Sequence, residues 1–184
     1  MRTEFARNLN AIAVILLCGV LGGAFFVQFV GQEIPCPLCL LQRIAMIGIA
    51  AGALLNVRFG PSPSGYGLSL LSALFGACVS SRQILLHILP GDPGYGTPVL
   101  GMHLYSWALV VFGIAILLGS IILMFPTQFR EPPRVRPLRP LHRFAFVLLL
   151  TIASANMVAT LLECGLGFCP ANPEAYRLIE DLRR

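Results

Sequence analysis

Four of the six cysteines fall into two close pairs, Cys36-Pro37-Leu38-Cys39 and Cys164-Gly165-Leu166-Gly167-Phe168-Cys169, while Cys18 and Cys78 stand alone inside apolar runs. Outside the cytoplasm, neighbouring thiols persist as disulfides, and a strained or exposed pair can exchange. Pro37 suits a first helical position, which makes Cys36 a helix N-cap and puts Cys39 in the first turn. Free amides and the positive helix end favour a thiolate there, a better nucleophile and leaving group. That spacing suits redox work, although a static disulfide, or a four-thiol zinc site built from both pairs, uses the same residues. The second pair, with Gly165 and Gly167 in its gap, is either a loop-closing staple or a relay passing electrons between a soluble partner and Cys36/Cys39. Cys18 and Cys78 read as small packing residues.

Arg43 follows Cys39 by four residues, one helical turn, and so lies beneath that sulfur on the same face. An arginine at that depth either snorkels to the interface or bonds a polar ligand head held beside the thiolate. Arg82 and His87 approach the same level from a later apolar segment, and His103 from the next. Together they suggest a shared ligand site, with Tyr95, Tyr105 and Trp107 as an outer aromatic belt. Thiol oxidation needs an electron acceptor, and the chain carries no haem, iron-sulfur, flavin or nicotinamide pattern. A lipid-soluble quinone meets the need, with a carbonyl oxygen placed where Arg43 stabilises developing negative charge.

The elements that must position these residues are membrane spans. Of 184 residues, 57% are apolar and 11% charged, against about 45–50% and about 25% in soluble domains; the mean hydropathy is +0.80. Such a composition excludes a soluble globular domain and a disordered chain. About 20 apolar residues cross a bilayer, and the gaps between ionisable residues predict five spans, at residues 11–30, 38–57, 66–89, 103–125 and 144–162. The chain therefore reads as a single all-α membrane domain, with a linker at 126–143 and a tail at 163–184.

The net charge of +5 is assigned to topology rather than to nucleic acid. A cytoplasmic N-terminus puts Arg2, Arg7, Arg58, Arg130, Arg134, Arg136, Arg139 and Arg143 inside, leaving the outer loops free of arginine. Arg177, Arg183 and Arg184 then sit in the outer tail. Five crossings bring both cysteine pairs to one extracytoplasmic layer. The first span reads as retained rather than as a cleaved signal, because no Ala-x-Ala site follows it. The Pro/Arg-rich linker reads as stiff and extended, without chemistry. Asn172, followed by Pro173, reads as the N-cap of a short interfacial helix in the tail.

Pro35-Cys36-Pro37-Leu38-Cys39 with Arg43 resembles the Cys-x-x-Cys…Arg signature of the disulfide bond formation protein B (DsbB) family, over spans one to four. The resemblance implies a four-helix transmembrane bundle in the bacterial inner membrane, here with a fifth helix added. It also implies ubiquinone or menaquinone as the electron acceptor and a periplasmic thioredoxin-fold thiol oxidase, DsbA-like, as the partner reoxidised. By the same resemblance, Cys39 would face the quinone, Cys36 would be the exchanging sulfur, and Arg43 would contact the quinone. The chain departs from the family in one respect. The family's second pair lies in the loop between spans three and four, whereas residues 90–102 hold no cysteine; Cys164 and Cys169, after the fifth span, stand as its replacement. Two rivals share these features: a vitamin K epoxide reductase-like enzyme, whose active pair would sit at a later helix, and a non-catalytic assembly or metal-binding membrane protein whose disulfides only staple loops.

Overall fold

The computed structural model describes residues 2–183 except 130, 131, 133, 166, 168, 171, 172 and 174. Arg130, Arg184 and the expected N-cap Asn172 thus lie outside the described residues. The chain is all-helical: α1 (Arg2–Phe29), α2 (Pro37–Phe59), α3 (Pro63–Leu86), α4 (Leu104–Leu123), α5 (Pro140–Cys164) and a short α6 (Arg177–Arg183). Among the described residues, five helices, α1 to α5, are long and apolar enough to cross a membrane.

Local chemistry sets most helix starts. Pro37 and Pro63 occupy first-turn positions, behind N-caps at Cys36 and Ser62 whose side chains accept from the Cys39 and Gly65 amides, satisfying donors that a helix start leaves free. Pro140 likewise opens α5 behind Arg139. The helix therefore claims 140–143 from the expected linker, and at its other end it runs past 162 to Cys164. Similarly, α1 begins nine residues before the expected span, because its charged first turns are helical too.

The helices pack in chain order, α1 on α2, α2 on α3 and α3 on α4, and α5 closes against α1 and α2. Small residues let α2 and α3 approach closely. A Cβ on Gly52 would overlap Ser69 and the Gly65 carbonyl, and one on Gly48 would overlap Ser72, the close backbone approach that small residues permit between membrane helices. Gly76 does the same for α4, leaving the space into which the fully buried Phe112 ring fits. These contacts fix how far α3 and α4 stand from α2, and so the width of the space beside Cys39.

The end of the bundle away from the cysteines is tied by arginine. Arg7, 1% exposed, donates to the Val57 carbonyl at 2.8 Å and the Pro137 carbonyl at 2.8 Å, and pairs with Glu4. The linker is held down as well: the Arg134 and Arg136 amides donate to the Phe59 and Arg58 carbonyls at 2.9 and 3.0 Å.

Candidate functional site

Cys36 and Cys39 lie at the start of α2 with sulfurs 2.7 Å apart, both as free cysteines. The N-cap geometry read from Pro37 is present: the Cys39 amide donates to Cys36 Sγ at 3.3 Å. A second donor comes from α3, where Gln83 Nε2 stands 3.2 Å from Cys36 Sγ and 3.5 Å from Cys39 Sγ. Gln83 is itself oriented by Gln42 Nε2, which donates to its Oε1 at 2.8 Å. Both glutamines are buried, and the Gln42 bond holds the Gln83 amide nitrogen toward the sulfurs. Two donor groups, the Cys39 amide and Gln83 Nε2, converge on the thiol pair and stabilise whatever negative charge it carries.

Arg43 lies one turn below Cys39 and is buried. Its guanidinium donates to Gln28 Oε1 at 2.6 Å and to the Ala24 carbonyl at 3.2 Å, and its centre lies 5.0 Å from the Phe25 ring centroid. It does not snorkel; α1 holds it inside the bundle. Two of the five guanidinium N–H donors go to these neutral acceptors.

Cys39, Gln42 and Arg43 share a cavity of about 240 Å³. Its walls are mostly apolar, with Val20, Leu21, Val27 and Met46 from α1 and α2, and Leu104 and Ala108 from α4. The loop between α3 and α4 roofs it. Tyr95 donates from its hydroxyl to the Ile34 carbonyl at 2.6 Å, and Glu33 accepts from the Thr97 amide at 3.0 Å and its hydroxyl at 2.5 Å. The roof is thereby fastened to the segment that leads into Cys36. Burial, followed by the charges of Cys36 and Cys39, holds the Tyr95 phenol above its ordinary pKa, so it remains a donor.

Tyr95, Tyr105 and Trp107, expected as an outer aromatic belt, line this cavity instead. Arg82 and His87, expected as ligand contacts, are not among its lining residues. Arg82 is exposed. His87 Nδ1 lies 3.0 Å from Asp92 Oδ1, and its ring stacks on Tyr105; His103 stacks on the same tyrosine. The Asp92 carboxyl is held below its usual range by the Gly94 amide and then by His87.

The second pair, Cys164 and Cys169, is a disulfide at the end of α5. Gly165 turns the chain there with φ of 64°, a conformation that favours glycine. The tail then returns to the site: Gln28, which accepts from Arg43, donates through Nε2 to the Tyr176 hydroxyl at 3.4 Å. α6 begins at Arg177, well beyond the expected cap. Beside the disulfide, Glu163 is fully buried. Sequence reasoning missed Gln28, Gln42, Gln83 and Glu163, and took Tyr95 only for a belt residue.

A profile of the family described as disulfide bond formation protein DsbB matches residues 6–95. A disulfide bond formation protein B of Pseudomonas syringae pv. tomato is 35% identical over 152 residues, 64% of this chain and 89% of that protein. The chain belongs to the DsbB family. Another member, from Marinobacter nauticus, is 31% identical over 60% of this chain and 88% of its own length. A third, from Chromobacterium violaceum, is 46% identical over 78 residues, 40% of this chain, and the match spans 47% of that protein. No solved structure matches. The DsbB profile covers Cys36, Cys39, Arg43 and Gln83 and ends at Tyr95; the rest of the roof, α4, α5 and the Cys164–Cys169 disulfide lie beyond it.

Proposed function

We propose that this DsbB-family membrane protein is a dithiol:quinone oxidoreductase that generates disulfides. One observation carries the reading: Cys39, paired with Cys36 at 2.7 Å, opens onto the same apolar cavity as Gln42 and Arg43. A flat ring with polar carbonyls fits that set of residues, since apolar side chains cover its faces and Gln42 and Arg43 offer donors at one edge. Ubiquinone or menaquinone supplies, when bound, an acceptor for two electrons and two protons.

The chain's own residues do the rest. Gln83 and the Cys39 amide hold negative charge on the sulfurs, which makes the pair easier to reduce to a thiolate and keeps that thiolate reactive. Arg43, fixed by Gln28 and Ala24, places a positive charge where negative charge develops on a bound carbonyl. The roof tied by Tyr95 and Glu33 keeps water from the cavity.

The dithiol that delivers electrons is a thioredoxin-fold thiol oxidase of DsbA type, reached in the periplasm of a bacterial inner membrane with the N-terminus cytoplasmic. The arginines at 7, 58, 136 and 139, gathered at the end away from the cysteines, support this orientation. Cys164 and Cys169 are the pair that meets the partner, relaying to Cys36 and Cys39. Arg82 and His87 are left outside the quinone site.

The test is quinol formation by purified protein in detergent, driven by a reduced thioredoxin-fold dithiol. Loss of turnover in both Cys39→Ser and Cys164→Ser supports the full relay. Loss in Cys39→Ser alone keeps the enzyme and reduces the tail to a staple. Absence of turnover in the unaltered protein with either quinone overturns the reading.

A further inference from the structure

Glu163 is the buried acid that the proposed reaction does not use. It belongs to the last turn of α5, it is 0% exposed, and neither carboxyl oxygen has a hydrogen-bond partner among the described residues. An ionisable group inside a membrane bundle without a partner is costly, and such groups mark functional sites. The tail that follows Glu163 returns to the site, where the Tyr176 hydroxyl accepts from Gln28, the residue that holds Arg43, and the Glu163 carboxyl interacts electrostatically with Arg43 and Cys39; the fifth helix thus ends beside the thiol site.

Among the described residues, Arg43, from α2, is hydrogen-bonded only to the neutral acceptors Gln28 and Ala24, both from α1. The acidic groups that act on it electrostatically are the Cys36/Cys39 pair of α2, Glu163 of α5 and the Tyr176 phenol of the tail; Tyr95 of the roof interacts with the same pair and with Glu163. α6, packed on α5, carries Arg177 and Asp181. In a poorly polarisable interior, one guanidinium balances one anion well, and a second anion beside it is strongly disfavoured.

We propose that Glu163 and Cys39 are alternating counter-charges of Arg43, so that reducing the Cys36–Cys39 disulfide deposits a proton on Glu163. This rests on the reading that the pair cycles. With the disulfide formed, the sulfurs are neutral and the Glu163 carboxylate faces Arg43. A dithiol then delivers two electrons and two protons and leaves as a disulfide. The Cys36–Cys39 bond breaks, one proton stays on the pair as a thiol, the second moves to Glu163, and the remaining thiolate takes over Arg43. Re-forming the bond reverses each transfer. Glu163 is thus a positioning residue that touches no substrate and sets the charge of the site.

Proton counting tests this. The whole purified protein is poised against dithiol/disulfide buffers at fixed potential between about pH 6 and pH 8, and the Cys36/Cys39 peptide is read by alkylation and mass spectrometry. At fixed potential the ratio of reduced to oxidised pair falls about tenfold per pH unit for each proton taken up. The unaltered protein is expected to show about a hundredfold fall per unit, Glu163→Gln about tenfold, and Glu163→Asp about a hundredfold again. A redox-difference infrared spectrum of the unaltered protein should gain a protonated-carboxyl C=O band on reduction, and this reading does not depend on any variant folding. A tenfold slope in the unaltered protein, a hundredfold slope kept by a folded Glu163→Gln, or no carboxyl band overturns the inference. A pair that does not respond to the buffer at all overturns the cycling reading instead.

Discussion

The side-chain amide of Gln83 stands 3.2 Å from Cys36 Sγ and 3.5 Å from Cys39 Sγ, so a neutral residue from α3 supports negative charge on either sulfur of the pair. A hydrogen bond to a charged group contributes about 1.5–3 kcal/mol, which corresponds to roughly 10- to 100-fold in thiolate population. Gln83→Leu is therefore expected to slow alkylation of the reduced pair by at least about tenfold at neutral pH. Arg82→Ala, one residue away but exposed, should leave the rate unchanged; stopped-flow alkylation distinguishes the two.

Arg43 has a charge role and a geometric role. Removing a preorganised donor that faces developing negative charge costs about 10²–10³ in turnover, and Arg43→Gln should lose that much in quinol formation. Arg43→Lys keeps the charge but lacks the planar fork that reaches Gln28 and Ala24, so its turnover should fall between the two. Steady-state assays of the three proteins, each checked for folding, settle the order.

The Tyr95 tether has a pH dependence of known sign. Burial raises its pKa in the folded protein above the ordinary 10.0. The contribution of the neutral phenol is complete below that ordinary value and is lost as pH rises through the higher folded value. Hydrogen-exchange protection factors in residues 93–99 should hold through the neutral and mildly alkaline range and fall only above about pH 10. Tyr95→Phe should show lower protection at every pH and lose this alkaline step.

Gly76 and Phe112 form a shape-matched pair across α3 and α4. Gly76→Ala forces the ring to move, and overpacking of this kind costs about 1–3 kcal/mol. Gly76→Ala with Phe112→Leu should be less destabilised than the sum of the two single variants, because the smaller side chain yields the space. Thermal unfolding in detergent measures the coupling.

Much of this arrangement is legible in the sequence wherever a residue acts through its own helix. Pro37 predicts the Cys36 cap, and the four-residue step from Cys39 predicts Arg43 on the same face; both are present. Five apolar stretches, two of them carrying one arginine each (Arg43 and Arg82), locate five helices, although the ends shift, because charged first turns such as that of α1 are still helical. The partners from other helices are not legible. Successive residues on a helix are rotated by about 100°, so the conspicuous Arg82 points outward while the neutral Gln83 beside it points to the sulfurs. The sequence assigns Glu163 to the tail, because a span end read from hydropathy stops before an acid, here two residues short of Cys164. Glu33 and Tyr95 lie on two separate loops, and no local pattern reveals that they fasten one to the other.

The most direct test of the central claim is a single turnover without any partner. Fully reduced protein is mixed anaerobically with one equivalent of ubiquinone or menaquinone, and the Cys36/Cys39 and Cys164/Cys169 peptides and the quinol are quantified together. The expected result is one equivalent of quinol formed in step with one protein disulfide, at Cys36–Cys39 or passed on to Cys164–Cys169, and neither product with Cys39→Ser. A pair that stays reduced beside unreacted quinone, with the protein folded, would contradict the assignment.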